Sequence, residues 1–222
     1  MCGRFSLHSP AAQISEAFHL PDLATLVLKP RYNIAPSRDI AIIRNAGTEP
    51  ELVMARWGLV PHWSRESRSK YSTINARIES VAEKPTYRTP FRRRRCLIPA
   101  DGFYEWKQDA GSKVPHYIRM KDGKVFAFAG LWDRWEGEDG SIESCTIIVM
   151  PANQVMKPIH ERMPAIIAPA DYDLWLDPGV TEKKQIMKCL SGAPSSRLTA
   201  YPVSTLVNSP KNDDERCIQP AD

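Results

Sequence analysis

Nineteen prolines stand in a chain of 222 residues, above the usual ~5%. That density implies many ordered loops and short regular elements, because proline breaks helix interiors and central sheet ladders. Pro30 and Pro36, with Asn33 between them, mark an irregular loop. Pro158 and Pro164 bracket His160. Ser9-Pro10 reads as a helix start, and Ile14, Ala17 and Phe18 give residues 10–19 one apolar stripe. Residues 39–44 and 52–57 read as strands joined through Asn45-Ala46-Gly47. Asn75 is placed to cap a following helix with Ile78, Val81 and Ala82 inward. Asp101-Gly102 signals a turn into a strand at 103–107. Strands at 115–120 and 125–132 suggest a hairpin about Asp122-Gly123. The β-branched run 145–150 suits a central strand. Residues 165–168 read as a strand, 171–176 and 182–190 as helices, and 202–207 as a last strand. Residues 208–222 are polar and expected to fray. No repeat or linker divides the chain, so residues 2–222 are expected to form one domain.

Hydrophobic content of 42% and charged content of 25% are those of an ordinary globule. No run of eighteen apolar residues suggests a membrane helix. Arg4, His8 and Gln13 interrupt any signal-peptide core. The expectation is a cytoplasmic monomer with no membrane partner. The five cysteines (Cys2, Cys96, Cys145, Cys189, Cys217) form no C-x-x-C pair and are odd in number, which argues against a zinc site and a disulfide framework. Neither metal nor cofactor is expected.

Charge is unevenly spread. Residues 1–100 carry 16 Lys+Arg against 8 Asp+Glu, and residues 101–222 carry 14 against 18. Thirteen of the first 16 are arginine, the side chain suited to bidentate phosphate contacts. A polyanion on one face is one reading, and a solvated surface is the other. The run Arg92–Arg95 leaves the same choice open.

Cys2 follows the initiator methionine, and its small side chain should permit removal of Met1. The new N-terminus would carry two vicinal nucleophiles, an α-amine with a reference pKa of about 7.7–8.0 and a thiol of about 8.5. The amine can attack an aldehyde to form a Schiff base, and the sulfur can close onto the imine carbon as a thiazolidine. Arg4 adds a positive charge two residues away, which would favour thiolate. The plain alternative is a small residue at a start codon.

Strand alternation places Phe103, Glu105 and Lys107 on one face and Tyr104 and Trp106 on the other. If the first face is buried, Glu105 suits general acid–base work; if it is wet, Glu105 merely pairs with a lysine. His160 is either a hydrogen-bonded loop histidine or a proton exchanger. Trp57 and Trp63 flank Gly58-Leu59-Val60-Pro61-His62, as core residues or exposed aromatics.

Six segments in order resemble the SRAP family, the SOS-response-associated peptidase domain: Met1-Cys2-Gly3-Arg4-Phe5, Tyr32-Asn33-Ile34-Ala35-Pro36, Trp57-Gly58-Leu59-Val60-Pro61, Asn75-Ala76-Arg77-Ile78-Glu79, the block from Arg95-Cys96-Leu97-Ile98-Pro99 to Tyr104-Glu105-Trp106, and His160-Glu161-Arg162-Met163-Pro164. They spread over residues 1–164. The resemblance implies an α+β fold, a single domain with a twisted, barrel-like, mostly antiparallel β core and peripheral short helices. It implies an abasic-site processing protein whose N-terminal cysteine links covalently to abasic single-stranded DNA, nucleoid-associated when bound. Carried over by position, Cys2 is the nucleophile, with Asn75, Glu105 and His160 around it. Arg4, Arg77 and Arg162 hold phosphates and Trp106 stacks on or wedges against a base. Asn33, Pro36, Trp57 and Trp63 join the DNA face. Two rival readings remain: an N-terminal-nucleophile amidohydrolase or peptidase, whose self-cleavage could remove Met1, and a non-catalytic single-strand binder.

Overall fold

The computed structural model describes residues 2–21, 28–45, 47, 49–67, 71–138 and 140–221. In chain order the elements are β1 (Phe5–Leu7), α1 (Ala11–Phe18), β2 (Arg31–Ile34), β3 (Asp39–Asn45), β4 (Pro50–Trp57), β5 (Asn75–Arg77) and α2 (Pro85–Arg93). Next come β6 (Arg95–Ala100), β7 (Gly102–Asp109), β8 (Ser112–Met120), β9 (Phe126–Gly137) and β10 (Gly140–Pro151). Last are β11 (Arg162–Pro164), β12 (Ile166–Ile167), α3 (Tyr172–Leu176), α4 (Lys183–Lys188) and β13 (Leu198–Pro202).

Five strands close on themselves. β6 pairs with β9, β9 with β10, β10 with β4, β4 with β3, and β3 with β6. Four of these links are antiparallel; β10–β4 is parallel and seals the barrel. Closure removes the exposed edges a five-stranded sheet would otherwise carry. The run 145–150 is central, as expected: along β10 the neighbour changes from β4 to β5 and from β9 to β11.

A second sheet runs β13–β8–β7–β1–β2, all antiparallel. One face packs on the barrel through edge-on aromatic contacts. Phe5 lies 5.3 Å from Trp57 and 5.8 Å from Phe128, and Phe103 lies 5.9 Å from Phe128. Tyr104 and Tyr117 point from the other face into a smaller core with Val203, Val207 and Cys217. The C-terminal segment therefore covers this sheet rather than fraying. Asp213 accepts the backbone N–H groups of Tyr32 and Asn33 at 2.5 and 2.7 Å and pairs with Arg31 at 2.5 Å, and Cys217 is fully buried.

Further local readings change: the loop read between Pro30 and Pro36 holds β2, and the last strand ends at Pro202, with a 3-10 turn at Thr205–Asn208 where a strand over 202–207 was expected. Residues 115–132 are not a hairpin, because β7 and β13 occupy both edges of β8 and send β9 to the barrel. The hairpin is β7–β8, turning at Ala110-Gly111, where both φ values are positive (42° and 88°), as a tight two-residue turn requires. Asn75 is a strand residue, not a cap; β10 holds Asn75–Arg77 extended, the chain turns at Ile78, whose N–H donates to the Val149 carbonyl at 2.9 Å, and helix waits for Pro85. Arg94 and Arg95 are structural. Arg94 pairs with the buried Asp133. Arg95, 3% exposed, donates to the carbonyls of Phe91, Arg92, Trp175 and Asp177 at the ends of α2 and α3. Burial pushes its pKa down to about 10. Only Arg92 and Arg93 of that run stand exposed. Among the described residues no helix is long and apolar enough to cross a membrane.

Candidate functional site

The site forms where the two sheets meet at the start of β1. Phe5 pairs with Phe103, and the Tyr104 N–H donates to the Arg4 carbonyl at 3.0 Å. This register lays Cys2 and Gly3 alongside the β7 stretch that carries Glu105. From the other sheet, Asn75 Nδ2 donates to the Cys2 carbonyl at 2.8 Å. Asn75 Oδ1 is buried with no hydrogen-bond partner among the described residues. An orphaned buried acceptor costs about 1–3 kcal/mol, so a group waiting to donate to it would gain that amount.

The Cys2 side chain has no exposed surface. Burial pushes its thiol far above the ordinary range, and the neighbouring Glu105 carboxylate adds to the rise. The expectation of a thiolate favoured by the Arg4 charge is corrected. Arg4 opposes the rise through its backbone N–H, not its guanidinium. That guanidinium is turned to Asn33 Oδ1 at 2.6 Å and the Val207 carbonyl at 2.7 Å. Cys2 in this structure holds a neutral, enclosed thiol.

Glu105 is 3% exposed, so strand alternation does bury it on the Phe103 side. His160 Nδ1 accepts the Arg162 backbone N–H at 2.9 Å. When the ring is neutral, its proton therefore sits on Nε2. Glu105 and His160 share a cleft of about 500 Å³ with Trp106, Lys113 and Asn208. The structure thus brings Cys2, Asn75, Glu105 and His160 together from four distant segments.

The residues read as DNA contacts divide. Arg77 is exposed on β5. Arg162 is half-buried and paired with Glu79 at 2.5 Å. Trp106 is half-buried; its Nε1 donates to Asn208 Oδ1 at 2.7 Å, and the Arg4 guanidinium lies 5.9 Å from its ring. Trp63 is 56% exposed, and Pro36 is half-buried in a turn. Trp57 belongs to the core, fully buried with its Nε1 on the Ile74 carbonyl at 2.9 Å. Asn33, 1% exposed, is an internal fastener. Its Nδ2 faces the carbonyls of Val207, Ser209 and Asn212 at 3.1, 3.0 and 2.6 Å. Neither Trp57 nor Asn33 presents a side chain to a strand of DNA.

Lys113 and Asn208 escaped the sequence reading. Placing Lys113 in the site requires knowing that it pairs with Gln108 across the β7–β8 hairpin. Asn208 lay in the stretch read as a tail. Among the described residues no group of three or more His, Cys, Asp or Glu side chains could hold a metal. A larger cavity of about 630 Å³ opens between α1, β12 and α3 and contains none of these site residues.

Residues 1–210 match the family model described as SOS response associated peptidase (SRAP). The chain is 41% identical over 222 residues to the abasic site processing protein YoqW of Bacillus subtilis strain 168, covering 99% of each. It is 30% identical over 263 residues to the abasic site processing protein HMCES of Gallus gallus, covering 99% of this chain and 78% of that one. A crystal structure of a protein from Bacteroides thetaiotaomicron superposes with a TM-score of 0.88 at 28% identity, covering 99% of this chain and 100% of that one.

Proposed function

Because the chain belongs to the SRAP family, we propose that it senses and processes abasic sites in single-stranded DNA by covalent capture on Cys2. One observation carries the reading: the Cys2 carbonyl is held by Asn75 at 2.8 Å, next to the buried Glu105 and the cleft it shares with His160. The relatives that align along the whole chain, both abasic site processing proteins by name, support the substrate class.

The sequence of steps begins with hydrolysis of the Met1–Cys2 amide, by an aminopeptidase or by the chain itself. It turns the Cys2 nitrogen into an amine and takes away the residue attached to it. Asn75 Oδ1, an acceptor without a partner, is suited to receive an N–H of that amine and fix its direction of attack. An abasic sugar is mostly a closed hemiacetal. Opening it moves a proton from O1′ and delivers one to O4′, work for the Glu105 carboxyl and the His160 imidazole. The amine then adds to C1′, and loss of one water gives the imine.

The last step is where the enclosed thiol matters. Burial disfavours a free thiolate, so the sulfur bonds to C1′ as its proton passes to the imine nitrogen, with Glu105 as the carrier. The product is a thiazolidine, and from the freed amine and the abasic sugar onward one water is lost. Ring closure removes the imine from which β-elimination would cut the strand.

Denaturing electrophoresis tests this. The mature chain is mixed with an abasic oligonucleotide or with the tetrahydrofuran analogue, which has no aldehyde. A denaturation-resistant band with the first alone is the expected outcome. Bands with neither, alongside equal native binding of both, would leave only a strand-binding protein.

A further inference from the structure

The cleft holds a cation that the steps above do not use. Lys113 lines it with Glu105, Trp106, His160 and Asn208. In the β7–β8 register Trp106 faces Pro115 and Gln108 faces Lys113. Trp106 and Lys113 therefore project from one face of the hairpin as diagonal neighbours, within reach of long side chains. Further along the same face, Tyr104 and Tyr117 are sealed under the C-terminal segment. Beyond them the face opens to the cleft at Trp106 and Lys113.

The wall opposite is fixed. Asn208 ends a 3-10 turn, Thr205–Asn208, whose start is capped by Ser204 accepting the Leu206 N–H at 3.3 Å. The carbonyl of Val207 in that turn receives both Arg4 and Asn33. The Trp106 ring is in turn held by Asn208 at 2.7 Å. The wall is thus a braced surface beside the chemistry.

Lys113 is the one lysine or arginine among the residues that line the cleft. Arg4 is turned to Asn33 and Val207, and Arg162 is paired with Glu79 at 2.5 Å. Lys113 makes no ion pair among the described residues. A phosphodiester brought beside the buried Glu105 meets a like charge, and a cation lining the same space offsets that repulsion.

We propose that Lys113, with the Trp106–Asn208 wall, forms a subsite for the nucleotide that flanks the abasic sugar. Lys113 holds its phosphate linkage. The inference rests on the abasic-site reading of the cleft. Lysine acts as a point charge, so the subsite fixes the strand without selecting a base.

Fluorescence anisotropy with a tetrahydrofuran-containing single strand tests it without using the covalent reaction. The strand is prepared with normal linkages, or with one neutral methylphosphonate immediately 5′ or 3′ of the site. On the normal strand Lys113→Ala should weaken binding about 5–10-fold and lower the salt slope by about 0.7. Lys113→Arg should restore most of the loss. On one of the two methylphosphonate strands Lys113→Ala should cause no further weakening, since its partner charge is already gone. An equal loss on all three strands, or no loss on the normal one, would overturn the proposal. Failure of the abasic-site reading shows separately, as the absence of a covalent adduct between the unsubstituted chain and an aldehyde-bearing strand.

Discussion

Asn33→Ala separates two roles for one residue. By motif Asn33 belongs to the DNA face; by geometry it is the bolt between the β2 strand and the C-terminal segment. Its Nδ2 has two hydrogens, shared among the carbonyls of Val207, Ser209 and Asn212, and its Oδ1 takes the Arg4 guanidinium at 2.6 Å. Two neutral hydrogen bonds at about 1 kcal/mol and one charged bond at about 1.5–2 kcal/mol sum to about 3–4 kcal/mol. For a domain of this size each kcal/mol shifts Tm by about 2–4 °C, so a fall of roughly 6–16 °C is expected. If the C-terminal segment releases before the barrel, the loss appears there first. Proteolysis beyond residue 208 should then quicken by about 10²–10³, since each 1.4 kcal/mol is tenfold. Differential scanning fluorimetry and timed proteolysis read both quantities. An unchanged Tm with unchanged protection, alongside weaker DNA binding, would refute the bolt and restore Asn33 to the DNA face.

Three further outcomes follow from the geometry. Cys2→Ala keeps the N-terminal amine but not the sulfur, so borohydride should still trap an imine while the untrapped, denaturation-resistant adduct disappears and strand cleavage rises; equal untrapped adduct would rule out ring closure. In the chain that retains Met1, the Cys2 thiol stays neutral between pH 7 and 9 because its pKa is raised above that window; iodoacetamide labelling, read by peptide mass, should therefore be slow and nearly flat with pH, and rapid labelling at pH 7 would contradict the burial. Gly102→Ala would set a Cβ 2.3 Å from Tyr117 Cζ and 2.4 Å from its hydroxyl, whose oxygen lies 2.8 Å from Ser6 Oγ. Overpacking of this kind costs about 1–3 kcal/mol, measurable as a lower denaturant midpoint, and a midpoint equal to wild type would show that the smaller core around Tyr117 yields more easily than its packing suggests.

What the sequence made legible was local. The strands at 39–44, 52–57, 103–107 and 145–150 announce themselves by alternation or by β-branched runs between turn residues, and each lies within an observed strand. Alternation also put Glu105 on the buried side. Long-range pairing was not legible. Nothing in residues 115–132 says that both edges of β8 are taken, and the parallel β4–β10 contact joins residues 56–57 to 144–145. Asn75 has the composition of a helix cap, yet β10 draws it into a strand. Arg94 and Arg95 look like surface charge until Asp133 and four carbonyls are found around them. The C-terminal segment reads as a tail because its ties run to Arg31, Tyr32 and Asn33 far upstream, reached by Asp213 and by backbone carbonyls of the segment. The segments that carry Cys2, Asn75, Glu105 and His160 could be picked out one by one; that β1, β5 and β7 converge could not.

Intact mass spectrometry of the mature chain after mixing with an abasic single strand addresses the covalent step itself. A species equal to the protein without Met1, plus the oligonucleotide, minus one water, is expected, with peptide mapping placing the linkage on Cys2. A chain that keeps its methionine, or an adduct that maps to any other residue, would contradict it.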